Sequence, residues 1–306
     1  MTVRARLGRS RALRYGVGTS AGVLLVCVII AGLSSWTLGT VGSRVTAATA
    51  RAHGEVIRAA DRSVEIRWSA PEGQRINTVA LAVTAPPVGT RTEVAYAPRD
   101  PTTVLIPGSI ELAAVDRAAS GVAFSGLVAA VVLVTAGWQV ISRHRLRRLP
   151  GQPIQVRRVR VQSGLLTRSW LELDSPPRWI PVHFDPVMVT LPAPTSVQLH
   201  GDPQRRALVA AEVDGAWLHA SGPVRVNEPR GRRIDSPTSP DPPRSTITYG
   251  WRRQLQADAG LFTVAPIVGL LWIFLDGGGL ATWACATALT AALALWWAAL
   301  RGSDPS

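Results

Sequence analysis

Residues 21–33 read AGVLLVCVIIAGL, thirteen residues without a charge. They form the centre of an apolar run from Tyr15 to Leu38, and a second run extends from Ala118 to Ile141. Each run has 24 residues. At 1.5 Å per residue, a helix of that length crosses the roughly 30 Å of hydrocarbon in a bilayer with some tilt. A third run, 259–275, contains Pro266, and a fourth covers 280–300. Asp276-Gly277-Gly278-Gly279 separates these two, so the pair predicts a helical hairpin. The fold class that follows is a multi-pass α-helical membrane protein of four spans.

Arginine placement predicts the orientation. Arg4, Arg6, Arg9, Arg11 and Arg14 precede the first run with no acid among them. Arg143, Arg145, Arg147 and Arg148 follow the second run, Arg252 and Arg253 precede the third, and Arg301 follows the fourth. By the positive-inside tendency, the tail 1–14, the region 142–258 and the segment after 300 are cytoplasmic, and 39–117 is extracytoplasmic. The expected location is the plasma membrane, with both termini inside. Trp36, Trp138, Trp272, Trp283 and Trp297 lie near run ends, where indoles settle at the interface. A cleaved signal peptide is the competing reading of the first run, because Ala48-Thr49-Ala50 resembles a processing site. The apolar core is too long and the site too distant for that reading, and the anchor is preferred.

Composition supports the membrane class and removes several chemistries. Hydrophobic residues are 47% of the 306, charged residues only 17%. There is no lysine, and all 33 basic residues are arginine. A phosphate-loop lysine, a Schiff-base lysine and a Ser-Lys dyad are thereby excluded. Cys27 and Cys285 both lie in apolar runs, which leaves the polar regions without a thiol nucleophile or a zinc knuckle. The net charge of +13 is concentrated in the inner region, with eighteen arginines against ten acids. Nucleic acid is one reading of that excess. Proximity to a span end favours anionic headgroups as the contact of Arg143–Arg148, with no nucleic acid partner.

The polar regions carry strand patterns. Val64, Ile66 and Trp68 alternate with Glu65 and Arg67, a period-two pattern with one buried face. Pro71-Glu72-Gly73 and Pro86-Pro87-Val88-Gly89 are turn chemistry. About five short strands predict a small barrel or curled sheet within 39–117, with Arg91–Tyr96 as its open edge. In 142–226, Val159 and Val161, Leu171 and Leu173, and Ile180, Val182 and Phe184 repeat the alternation. Asp214-Gly215 predicts a two-residue hairpin turn. A second all-β module is expected there, one module thus lying on each side of the membrane. Prolines 229, 237, 240, 242 and 243 predict a linker over 227–258 with a disordered tether at its start. Ser236-Pro237 and Ser239-Pro240 within it read as unmodified linker in preference to phosphorylation sites.

The first half of the chain resembles a known group. A span precedes Gly54-Glu55-Val56 and an alternating strand pair. Tyr96-Ala97-Pro98-Arg99-Asp100-Pro101 and a second span come after it. This order is similar to a family of bacterial membrane proteins, common in actinobacteria, that carry a domain of unknown function. In that family the module ends in Tyr-Asp-Pro-x-(Asn/Asp)-Pro, so Ala97 departs from the pattern. The resemblance covers about residues 15–142. It implies an architecture and brings no catalytic residue. The Tyr96–Pro101 segment itself reads as a rigid strand exit, because proline fixes φ and restricts its predecessor.

Candidate chemistry is sparse. His183 and Asp185 project to one face of a strand, and His200 and Asp202 repeat the spacing. Imidazole with carboxylate would suit zinc or iron. Asp185-Pro186 and Asp202-Pro203 are also ordinary turn starts, and that reading is preferred, so no metal, cofactor or catalytic residue is assigned. Gly18 and Gly22, and the alanines 284, 288 and 292, favour close helix packing. The expected role is a structural or partner-binding envelope component without catalysis, its partner an unidentified membrane or envelope protein. A membrane-tethered hydrolase with a histidine site in the inner region, or a transporter accessory subunit, are the alternatives.

Overall fold

The structure is a computed structural model that describes residues 11–235 and 250–306. Helix α1 runs Arg11–Ala47 and helix α2 Ile110–Leu146, each 37 residues and each longer than its apolar run. Serine and threonine within them donate back to the preceding turn, Thr19 to the Tyr15 carbonyl at 3.0 Å and Thr135 to that of Val131 at 2.7 Å. Hydroxyls are thereby satisfied without water. Helix α3 (Trp251–Asp258) leads through a 3-10 turn into α4 (Val264–Asp276), and α5 covers Leu280–Arg301. The expected hairpin is present. Gly277 takes φ +66° and its N–H bonds the Ile273 carbonyl at 2.8 Å, a left-handed helix stop that glycine adopts without strain.

Four helical stretches, Leu13–Ala47, Ile110–Leu146, Trp251–Asp276 and Leu280–Arg301, are long and apolar enough to span a membrane. Their sides are bare: Trp36 is 74% exposed, Phe274 84% and Leu280 78%. Exposed apolar surface of that kind marks a contact with a membrane or with other protein.

Between α1 and α2 lies a five-stranded antiparallel sheet, ordered β3-β2-β1-β4-β5. Its strands are β1 Ala50–Ala60, β2 Ser63–Ala70, β3 Gly73–Ala80, β4 Arg91–Ala97 and β5 Asp100–Leu105. The alternation of β2 buries Val64, Ile66 and Trp68 with Val56, Val94 and Tyr96. Asn77 of β3 accepts from the Trp68 indole at 2.9 Å and donates to the Thr102 carbonyl of β5 at 3.0 Å. One side chain thus bridges the two outermost strands, and the sheet is curled.

Two expectations for this sheet are corrected. Arg91–Tyr96 is not an open edge, because β4 pairs with β1 on one side and β5 on the other. The Tyr96–Pro101 segment does not leave the sheet. Ala97 pairs with Asp100 across a Pro98-Arg99 turn, and Asp100 Oδ1 accepts from Thr102. Proline sets φ for the turn, and Pro101 is tolerated because β5 is an edge strand.

The second module contains β6 Gly151–Ser163, β7 Leu166–Asp174, β8 Pro177–Val182, β9 Thr195–His200, β10 Ala210–Val213, β11 Ala216–His219 and β12 Arg232–Asp235. The order is β11-β10-β9-β6-β7-β8, with β12 beside β6. Asp214-Gly215 makes the predicted turn, with φ of +49° and +74°. Residues 219–225 continue from β11 and bond β8 through His183 N–H to His219 O and a reciprocal Trp179–Arg225 pair. The two ends of the sheet therefore meet, as in a small barrel. Leu171, Leu173, Ile180, Val182, Val197 and Leu199 fill its core. The other sheet face carries a smaller cluster of Val159, Val161, Trp170 and Trp179.

The linker expectation over 227–258 holds less chain than foreseen. Arg232–Asp235 is a strand on β6, and Trp251–Asp258 is a helix. The Ser-Pro pairs at 236 and 239 lie outside the described residues.

Candidate functional site

The histidine–aspartate pairs do not converge. Asp185 caps a 3-10 turn by accepting from Val187 N–H at 3.1 Å. Asp202 accepts from Gln204 N–H at 2.8 Å. His200 bonds the Leu149 carbonyl through Nδ1 at 2.8 Å and stacks near Trp217. Among the described residues, no group of three or more His, Cys, Asp or Glu is placed to hold a metal ion.

His183 meets arginine instead. Arg143, at the end of α2, brings a guanidinium nitrogen to 3.2 Å from His183 Nε2, and Arg147 lies 3.0 Å from His219 Nε2. Guanidinium can only donate, so each imidazole nitrogen accepts and each ring is neutral. Burial, then the neighbouring Arg143, His219 and Arg168, hold His183 well below the ordinary imidazole value. Burial, with Arg143 and Arg147, pushes His219 down to about 3. The arginine run expected at headgroups is thus divided: Arg143 and Arg147 turn into the module, and Arg145 and Arg148 are exposed.

Two buried carboxylates organise this end of the molecule, Asp258 joining helix ends to one another and Asp304 joining the segment after α5 to the module. The Tyr15 hydroxyl of α1 donates to Asp258 Oδ2 at 2.6 Å, and Gln254 of α3 donates to the same oxygen at 3.2 Å. Ser303, just past α5, donates to Asp258 Oδ1 and accepts from Gln254 at 2.9 Å. Gly18 receives the Trp251 indole here, where an added Cβ would collide with the ring, so its role is to seat α3. Gly22 has no such neighbour. A cavity of about 20 Å³ beside Tyr15, His183, Gln254 and Ser303 is the size of one water. The second carboxylate is Asp304. It pairs with Arg158 at 2.8 Å and accepts from Ser169 Oγ at 2.5 Å. β8 stops pairing with β7 at Ser169, and beyond it Ser303 and Asp304 take over the β7 edge, opposite Arg168 and Thr167.

A cavity of about 250 Å³ lies on the Trp170 face of the barrel, bounded also by the last turn of α5. Arg168, Arg225, Arg230 and Arg301 line it, with Trp170 and Trp297. Arg168 and Arg225 lie over the Trp170 ring at 4.9 and 5.5 Å, and Arg301 over Trp297 at 5.4 Å. Burial first, then Arg301 and Arg225, lowers the Arg168 guanidinium to about 10.

None of these groupings was visible in the sequence, since each joins residues from distant segments. The faint signal was repetition: arginine one residue from tryptophan or on the same strand face. Compared with protein families, curated proteins and solved structures, the chain matches none.

Proposed function

We propose that the chain is a multi-pass plasma-membrane protein with residues 1–14 and 301–306 in the cytoplasm. Its two β-modules, one outside and one inside, serve as structural or partner-binding parts of the cell envelope without catalysis. The observation that carries this reading is the buried junction of Tyr15, Gln254, Asp258 and Ser303. Polar chemistry is used there to fasten the ends of three helices to one another. Arginine asymmetry supports the sidedness, and the bare apolar helix sides support insertion. A hydrolase centred on His183 would need a group that steadies a developing imidazolium. His183 and His219 face arginines, which oppose that charge.

Photocrosslinking in intact cells tests the reading. A photoreactive residue at Ile76, exposed on β3, or at Val88 should give a discrete protein adduct. Absence of adducts at every exposed position of the first module would overturn partner binding. Loss of function in His183→Gln, with protein amount and thermal stability unchanged, would instead establish the hydrolase.

A further inference from the structure

We infer that the cavity bounded by Arg168, Arg225, Arg230 and Arg301 binds the phosphate of an anionic membrane lipid. The inference rests on the membrane reading above and names a ligand for the second module.

Four guanidinium groups converge on one opening of about 250 Å³. Among the described residues no ion pair joins any of them to a carboxylate, whereas nearby Arg158 pairs with Asp304 and Arg233 with Glu172 and Glu228. Arg168 is half-buried and Arg225, Arg230 and Arg301 are exposed, so the group is open to an external anion. Arginine suits phosphate oxygens because its planar fork donates two parallel bonds. Three of the four guanidinium groups lie over tryptophan rings. That stacking limits their motion, so less freedom is lost when an anion arrives.

A second observation is independent of charge. Trp170 is 2% exposed, and its indole N–H has no hydrogen-bond partner, an unmet donor in a residue that lines the cavity. Buried donors are usually satisfied, and a bound oxygen would satisfy this one. Burial and the two neighbouring arginines also lower the Arg168 guanidinium, and a bound anion would offset both effects.

The position selects a lipid over a free phosphate. Trp297 and Arg301 belong to the last turns of α5, an apolar helix of 22 residues. Indole and guanidinium at a span end mark headgroup depth. Leu165, 57% exposed in the β6–β7 turn, lies against Gly260 in the 3-10 turn that leads into α4. The cavity therefore opens where two apolar helices reach the polar region, and Leu166 and Val161 give it an apolar wall for the first carbons beyond the glycerol.

The test uses the full-length chain, released from nanodiscs of equal phosphatidylglycerol and phosphatidylcholine and examined by native mass spectrometry. The wild type should retain one phosphatidylglycerol in preference to phosphatidylcholine. The double variant Arg168→Gln/Arg301→Gln should lose retention by about tenfold or more, two arginine contacts being removed. Arg168 also donates to the Arg301 carbonyl and to Ser221, so Arg230→Glu serves as a second variant that leaves those two bonds in place. It should weaken retention by supplying an internal counterion. Arg145→Gln/Arg148→Gln, exposed in the last turn of α2 and just beyond it, should leave retention unchanged. Equal retention by wild type and Arg230→Glu, or equal retention of phosphatidylcholine, would overturn the inference. Displacement of the lipid by glycerol phosphate or by a short oligonucleotide at equal concentration would also overturn it, in favour of a soluble phosphate or nucleic acid. A chain that fails to enter nanodiscs would defeat the membrane reading itself, a result separate from any change in retention.

Discussion

Arg158 and Asp304 are 146 positions apart in sequence and 2.8 Å apart in space, with side chains only 6% and 0% exposed. A buried pair of this kind owes little net stability to its attraction, because both charges leave water. Its removal by halves is another matter. Asp304→Ala leaves Arg158 charged and buried beside the Met188 carbonyl, which costs about 3–5 kcal/mol. Asp304→Asn, which keeps an acceptor, should cost less. Denaturant unfolding of the detergent-solubilised chain measures both, and equal stability of Asp304→Ala and wild type would remove the pair from the fold's energetics.

Acid should destabilise the second module through its histidines. His183 and His219 have folded values below the unfolded value of about 6.5. The unfolded chain therefore binds more protons, and stability rises with pH. The contribution is complete above about pH 6.5 and is lost as pH falls toward the folded values, about 3 for His219. His219→Gln should flatten the dependence between about pH 7 and about pH 4. Thermal unfolding across that range decides it, and identical slopes in variant and wild type would assign the acid sensitivity elsewhere.

The first module has one position where a single carbon should be felt. A Cβ on Gly54 would stand 2.6 Å from Ile66 Cγ2 and 2.8 Å from Val94 Cγ2. Gly54→Ala overpacks the core and should cost about 1–3 kcal/mol. Gly42→Ala, with open space around it, is the matched control. The difference in Tm between the two variants reads the effect.

Sidedness is accessible to thiol labelling. In a Cys27→Ala/Cys285→Ala background, Ser69→Cys on exposed β2 should react with an impermeant reagent in intact cells. Gln204→Cys, exposed in the second module, should react only after lysis. Equal reaction at both positions in intact cells would reverse the arrangement drawn from the arginines.

How much of this fold could be read in advance depends on how local its causes are. The apolar helices are decided within single runs of about 20 residues, the Val64–Trp68 alternation and the Asp214-Gly215 turn within far fewer, and all were legible. The place of β4 inside its sheet was not, because pairing depends on β5 folding back across Pro98-Arg99. Strand β12 was hidden by the prolines on either side of it, at 229 and 237: Arg232–Asp235 has little apolar pattern and is held by backbone bonds to β6. Arg143 and Arg147 looked like headgroup contacts because a span end precedes them, yet two buried imidazoles accept from them. The candidate lipid cavity draws on four separate segments, so no window of sequence contains it.

The Ser303–Asp304 segment has a consequence for the order in which this protein can be made. The last strand of the second module ends at Asp235, but the carboxylate that matches Arg158 belongs to residue 304. Both helices of the α4–α5 hairpin are synthesised between the two. At elongation rates of about 5–20 residues per second, the nascent barrel waits on the order of several seconds with an unmatched internal charge and part of the β7 edge open. It completes itself only when α5 has left the ribosome. A stop codon as late as position 300 would therefore leave the spans intact and the module, whose strands were finished long before, without its closing residues.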